Sequence, residues 1–120
     1  MRVQDFTKLK VWERAHAHAI NVRRATRVIP RIGYASLKSQ IIRSAESIPF
    51  NIVEGCGAES PREFARFLDI SIKSSSELEY QLLLARDNGV LHARQWRELT
   101  RETVEIRRML CGLRRRVLEG

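Results

Sequence analysis

The sequence is poor in cysteine, proline and glycine, and each shortage excludes a class of protein. Its 120 residues include two Cys, three Pro and six Gly, too few for a disulfide-stapled scaffold or a low-complexity chain. Cys56 and Cys111 have no ligand partners at metal spacing, so no metal site is predicted. A reducing compartment would keep both cysteines as thiols.

Long apolar runs are also missing. No stretch approaches the roughly 18 apolar residues that a membrane span needs, and residues 1–10 are too mixed and charged for a signal peptide. These absences predict a cytoplasmic protein that does not enter a membrane. With 43% apolar and 30% charged residues, the chain is expected to fold as one helix-rich domain, residues 1–120.

The net charge of +8 is divided unevenly along the chain. Residues 1–31 hold eight Lys or Arg against two acids, and residues 92–120 hold eight against four. The middle, residues 32–91, holds six against eight and is slightly acidic. The basic excess therefore belongs to the two ends of the sequence.

Apolar residues recur three and four positions apart in four segments, which predicts four amphipathic helices. The segments are residues 10–29, 34–55, 61 to the turn at 87–89, and 92–117. Ser60, Pro61 and Glu63 form a capping-box signal at the start of the third. Pro49 is expected to kink the second helix rather than end it. Gly55-Cys56-Gly57 is expected to end that helix as a turn open to positive φ.

The short connections predict an all-α fold, an antiparallel up-and-down four-helix bundle, with no competing strand pattern. Trp12 and Trp96 fall on apolar stripes and are predicted to be core residues. His16 and His18 are two apart and cannot chelate one metal together, so both are interpreted as surface or boundary residues. The first and fourth helices are neighbours in this topology, so the two basic segments would share one side.

The second helix also carries a resemblance to a known family. Gln40-Ile41, Arg43-Ser44-Ala45, Ser47-Ile48-Pro49, Asn51-Ile52 and Glu54-Gly55 resemble the signature of the four-helix-bundle proteins named for intervening sequences in bacterial 23S rRNA genes. Leu9-Lys10-Val11-Trp12, Ser60 to Leu68, Glu77-Leu78-Glu79 and Met109-Leu110 extend the likeness. The chain departs from the pattern at Ile42, often basic in that family, and at Val53, often small.

The resemblance implies a particular assembly and particular partners. Relatives are similar to the accessory protein of diversity-generating retroelements, a pentameric barrel of four-helix bundles that binds nucleic acid and a reverse transcriptase. A homopentamer, nucleic acid (RNA or DNA) and a reverse transcriptase or other nucleic-acid enzyme are therefore the implied partners.

Arginines on one side of the first and fourth helices are the predicted nucleic-acid contacts, through the phosphate backbone rather than the bases. The alternative is a solvated helix face that pairs with glutamates at i, i+4. The predicted residues are Arg24, Arg27, Arg31, Arg94, Arg97, Arg101, Arg108 and Arg115.

A polar line beside the apolar stripe of the second helix is the predicted oligomer interface, because its groups need hydrogen-bond partners if buried. It consists of Gln40, Arg43, Ser47, Asn51 and Glu54. The alternative is that this line is solvated on a monomer.

No catalytic constellation is visible, since the acids lack the Glu-x-x-His pairs of di-iron bundles and no serine or cysteine has a histidine partner. The sequence thus predicts a non-enzymatic protein without cofactor or metal. The competing interpretation is a protein-protein adaptor whose basic surface serves only solubility.

Overall fold

The computed structural model describes residues 5–120, which form four long helices. We label them α1 (Lys10–Ala25), α2 (Ala35–Cys56), α3 (Pro61–Asp87) and α4 (Ala93–Glu119). Short 3-10 turns lie at Phe6–Lys8 and Thr26–Val28. No strand occurs in the described part of the chain, and the predicted all-α four-helix bundle is confirmed.

The predicted stripes form the core. Ile41, Ile48 and Ile52 of α2 are at most 1% exposed, and Thr103 and Ile106 of α4 are fully buried. On α3, three buried serines lie between Leu68 and Leu78, and Ser71 donates from its hydroxyl to the carbonyl of Ile48 (2.9 Å). These small side chains let α2 and α3 approach closely.

The observed ends of the helices match the predicted ends at Ser60 but not at Ile29. The Ser60 hydroxyl accepts from the backbone N–H of Glu63 (3.1 Å), which confirms the predicted N-cap of α3. The first helix ends at Ala25 rather than Ile29, because the chain tightens into the 3-10 turn before Pro30. Through Pro49, which is buried, α2 continues as one helix to Cys56.

Gly55 was expected to help end α2 in a turn, but the structure places it elsewhere. It lies inside α2 and is buried, and Gly57, which caps the helix, has φ −87°. A Cβ on Gly55 would lie 2.6 Å from Cδ1 of Phe64. Gly55 is therefore needed for close approach of α3, not for positive φ.

Both tryptophans are half-buried rather than fully in the core. Trp12 packs edge-on against Phe6 and stacks on His16, with ring centroids 4.8 and 5.0 Å apart. Trp96 lies under the guanidinium of Arg86, whose Cζ is 4.2 Å from the ring centroid. Large rings at the ends of the apolar stripes cover the core instead of filling it.

Candidate nucleic-acid interface

The arginines of α4 fall into two sets that differ in what they contact. Arg107 donates to Oε1 of Glu79 (2.7 Å) and Arg114 donates to Oδ1 of Asp69 (2.5 Å), both across the α3–α4 seam. These two arginines contribute to helix packing. Their spacing of seven residues beside the apolar seam is the sequence signal that distinguishes them from the other arginines of α4.

The second set forms a ridge that points away from the core. We call it the arginine ridge; its members are Arg94, Arg97, Arg101, Arg108 and Arg115, all exposed. Arg94 contacts Glu98 (3.4 Å) and Arg108 contacts Glu105 (3.9 Å) at exposed positions, where ion pairs contribute little. Within residues 5–120, the other three make no ion pair with any acid, so much of the ridge charge is left without a counter-charge.

The predicted arginines of the first helical segment are exposed as well, but they occupy three different settings. Arg24 is on α1, Arg27 is in the following 3-10 turn, and Arg31 is in the connection to α2. Arg24 lines the groove between α1 and α4 together with Glu98 and Glu102. The basic residues of α1 and α4 thus lie on either side of a groove that contains Glu98 and Glu102.

One buried polar side chain, His18, lines this groove, and Glu102 of the lining forms a half-exposed ion pair with Arg14. Arg14 pairs with Glu102 (2.5 and 3.0 Å), and this hydrogen bond raises the pKa of Arg14. His18 is 3% exposed, and its Nε2 lies 2.8 Å from the hydroxyl of Thr103. Burial lowers the pKa of His18 to about 4, so its ring is neutral at pH 7.

The prediction that His18 is a surface or boundary residue is therefore wrong. His18 shares the buried stripe of Val11, Ala15 and Val22, while exposed His16 lies on another side of the helix. Thr103, in the apolar seam of α4, forms a hydrogen bond with the imidazole, and this bond offsets the free-energy cost of burying it.

The predicted oligomer line lies on the outer face of α2 beside α3. Ser47 Oγ is 2.8 Å from Ser74 Oγ, and Asn51 Nδ2 donates to the carbonyl and hydroxyl of Ser47 (2.9 and 3.0 Å). Gln40, Arg43 and Glu54 are exposed. The hydrogen-bonding needs of Ser47 and of the Asn51 amide N–H are thus met within one bundle, which weakens the argument that they need a second copy.

Two exposed apolar side chains, Phe50 of α2 and Ile70 of α3, are not part of the predicted line. Phe50 is 64% exposed and Ile70 is 45% exposed. Phe50 lines a shallow groove with Arg43, Ser47, Ser74 and Glu77. An aromatic ring on an otherwise polar helix face was the available signal.

The described residues offer little catalytic chemistry. Within residues 5–120, no group of three or more His, Cys, Asp or Glu side chains could hold a metal. Cys56 is buried, and burial raises its pKa to about 11, which disfavours the reactive thiolate. Ser75, like Ser71, donates to a backbone carbonyl. The main chemical feature of the surface is exposed positive charge.

Over residues 5–120, no helix is both long and apolar enough to cross a membrane.

Comparison with known proteins places these features in a family. The model of a family described as 23S rRNA-intervening sequence protein matches residues 7–112. A crystal structure from Bacteroides thetaiotaomicron, of a protein with unknown function from the S23 ribosomal protein family, superposes with a TM-score of 0.80 at 24% identity. The match covers 87% of this chain and 97% of that one. No curated protein matches the chain at a significant level.

Proposed function

This chain belongs to the 23S rRNA-intervening sequence protein family, and we propose that it is a non-catalytic protein that binds the phosphate backbone of RNA or DNA as a homo-oligomer. The observation that carries the proposal is the arginine ridge, with Arg97, Arg101 and Arg115 exposed and without an ion pair within residues 5–120. Neither the family description nor that of the superposed structure names an activity.

The dimensions of the ridge suit a polyanion. Arg94 and Arg115 are 21 positions apart on one continuous helix, which corresponds to roughly 32 Å at 1.5 Å per residue. This is close to one turn of a nucleic-acid duplex, about 34–36 Å. Arginine presents a forked set of N–H donors that matches phosphate oxygens. The chain carries no zinc finger, helix-turn-helix turn or aromatic RNA-binding motif, so the proposed contacts are to the backbone.

Binding measured against salt concentration tests this proposal. Changing Arg94, Arg97, Arg101, Arg108 and Arg115 to Gln is expected to weaken binding to all sequences alike. It should also flatten the slope of log affinity against log salt by about 0.7–0.9 for each lost phosphate contact. The fold should survive, since none of these side chains is buried. A wild-type protein that binds no RNA or DNA at low salt would end the proposal.

A matched pair of double variants separates the ridge from net charge. Arg97→Gln with Arg101→Gln removes two ridge charges, and Arg62→Gln with Arg66→Gln removes two exposed charges from α3. Both change the net charge equally. Only the ridge variant is expected to lose affinity by more than a few-fold, whereas equal losses would indicate non-specific attraction by the net charge. Unchanged binding in both would favour the adaptor function.

Assembly is the second part of the proposal. We place the contact between copies on the outer face of α2 beside α3, where Phe50 is exposed and lines a groove with Arg43, Ser47 and Glu77. An apolar centre with a polar rim is typical of protein interfaces. The number of copies, five, comes only from the resemblance to pentameric relatives, and a nucleic-acid enzyme is the protein partner that the same resemblance implies.

Light scattering at micromolar concentration tests the assembly. A mass near 13.9 kDa would refute the oligomer, and a stable dimer would refute only the pentamer. Phe50→Lys is expected to disturb assembly more than Tyr80→Lys, which changes a similarly exposed aromatic residue (60%) elsewhere on α3. Asn51→Leu should likewise disturb assembly more than Arg108→Gln, because only Asn51 lies on the proposed face.

A further inference from the structure

A groove between the C-terminal half of α1 and the N-terminal half of α2 carries an excess of positive charge. We call it the basic groove; its volume is about 870 Å³, within the roughly 300–1,000 Å³ range of small-ligand sites. Its charged lining residues are Arg23 of α1, Arg31 of the connection, Lys38 and Arg43 of α2, and one acid, Glu46 of α2. Four basic side chains from three consecutive segments therefore share the groove with a single carboxylate.

Most of the charge in the basic groove has no counter-charge. Arg23 Nη1 lies 3.8 Å from Oε2 of Glu46, but both side chains are more than half exposed, and such ion pairs contribute little. The ammonium of Lys38 donates to the carbonyl of Ile29 (3.4 Å), which orients the charge without neutralising it. Within residues 5–120, neither Lys38 nor Arg31 makes an ion pair, so the groove is a favourable place for an anion.

Other grooves on the bundle do not share this excess. At the start of α3, Arg62 and Arg66 line a groove together with Glu63 and Asp69, so its charges balance. The groove between α1 and α4 and the shallow groove beside Phe50 each contain more acids than arginines. The net charge of the chain does not by itself explain the basic groove, because that charge is not spread evenly over the surface.

We propose that the basic groove binds a phosphate monoester, the group at the end of a 5′-phosphorylated strand or on a free nucleotide. A monoester carries close to two negative charges at pH 7 and presents three acceptor oxygens, whereas each phosphate within a strand carries one charge. Arginine and lysine donors that line one groove can bind several oxygens of the same group, and exposed Ser39 adds a hydroxyl donor. The arginine ridge, in contrast, spreads its charges along a single helix, which suits the singly charged phosphates of a backbone.

The position of the basic groove suits the end of a strand that lies on the ridge. Arg24 of α1 and Gln95 of α4 line one groove, so the C-terminal half of α1 lies beside the end of α4 where the ridge begins at Arg94. Arg23, the neighbour of Arg24 in the chain, lines the basic groove between α1 and α2. A strand that follows the ridge to Arg94 therefore has only α1 to cross. Binding of a strand end rests on the proposed backbone binding, while binding of a free nucleotide does not.

Fluorescence anisotropy tests the inference with a 5′-phosphorylated oligonucleotide and the same oligonucleotide ending in a 5′-hydroxyl. The phosphorylated strand is expected to bind about three- to thirty-fold more tightly, the ratio that two exposed charge pairs supply. Arg23→Gln with Arg31→Gln, both at exposed positions, should bring this ratio close to one. Arg62→Gln with Arg66→Gln, in the charge-balanced groove of α3, changes the net charge equally and should keep the ratio. Losses of backbone affinity cancel in the ratio.

Nuclear magnetic resonance of ¹⁵N-labelled protein distinguishes the two sources of the monoester. Shifts of the Lys38 and Ser39 backbone N–H resonances with adenosine monophosphate, but not with adenosine, would assign the groove to free nucleotides. A strand-end preference without such shifts would assign it to strand ends. Equal strand affinities together with unmoved resonances would overturn the site, as would an equal loss of the ratio in the control variant. A protein that binds no RNA or DNA but shows the shifts would end the proposed backbone binding and leave this inference standing.

Discussion

Gly55 gives the sharpest test of how α2 and α3 pack. Replacing it with Ala adds one methyl group, whose carbon would lie 2.6 Å from Cδ1 and 2.9 Å from Cε1 of Phe64. The same carbon would lie 3.3 Å from Cβ of Phe67. Ordinary carbon contacts are about 3.5–4.0 Å, so the Phe64 ring must move by nearly 1 Å. That ring is only 5% exposed and is held by the core on its other side.

Two opposing effects decide the size of the change. Gly→Ala in a helix interior gains about 0.8–1.0 kcal/mol from propensity, and overpacking a core costs about 1–3 kcal/mol. Because Gly55 is near the end of α2, its replacement by Ala is expected to gain only part of this helix-propensity energy. We therefore expect Gly55→Ala to lower the free energy of unfolding by about 1–2 kcal/mol.

Urea unfolding of a matched pair provides the measurement. Gly112 is also inside a helix, and a Cβ there would meet only the flexible Nη1 of Arg116, at 3.4 Å. Gly112→Ala should therefore raise the free energy of unfolding by about 0.5–1 kcal/mol. In Gly55→Ala with Phe64→Leu, the smaller side chain should relieve the clash, so the double variant loses less than the sum of the single losses. A Gly55→Ala protein as stable as wild type would refute the close-packing argument.

Two further predictions concern stability. Lowering the pH from about 6.5 to about 4 should reduce the free energy of unfolding through His18. In the folded chain the pKa of His18 is about 4, so over this pH range the imidazole is protonated mainly in the unfolded chain. The His18 part is about 3 kcal/mol at 1.36 kcal/mol per pH unit, and urea titrations at both pH values should show a smaller dependence in His18→Gln. Leu110→Ala should cost about 2–5 kcal/mol because Leu110 is fully buried. Trp96→Ala should cost less, since Trp96 is half-buried, and thermal melts that reverse this order would contradict the assigned core of α4.

The helices and their buried faces could be predicted from the sequence because apolar residues at helical spacing lie on one face, and that face is buried. Ile41, Ile48 and Ile52 recur at helical intervals, and the structure buries all three. The cap at Ser60 is equally local, since Ser60 and Glu63 are three residues apart. Such features depend on a few neighbouring residues and need no knowledge of the rest of the fold.

Features that depend on a second helix were harder to predict. A glycine permits both a positive φ and a close approach, and only the position of Phe64 shows which one Gly55 serves. Similarly, Arg107 and Arg101 cannot be told apart by residue type. Their roles differ because Oε1 of Glu79 on α3 lies 2.7 Å from Arg107, while Arg101 is exposed and has no ion pair within residues 5–120.

The sequence predicted which arginines are exposed but not how they are arranged. All eight predicted arginines are exposed, yet whether any of them binds nucleic acid stays a prediction. The sequence could not show that acidic Glu98 and Glu102 would line the groove between the basic residues of α1 and α4. That outcome depends on the rotation of α4 about its own axis, which is set by packing against α1 and α3 rather than by α4 alone.

The division of arginines on α4 links the stability of the bundle to the proposed binding. Arg107 and Arg114 are paired with acids of α3, so these two charges already have a counter-charge within the fold. Arg97 and Arg101 are at i, i+4 on the ridge, where like charges destabilise a helix by roughly 0.2–0.5 kcal/mol per pair. A phosphate backbone laid along the ridge removes that repulsion, because it supplies the counter-charge that the described residues do not. Binding and folding are then coupled: a polyanion that binds the folded ridge more tightly than the unfolded chain must stabilise the bundle.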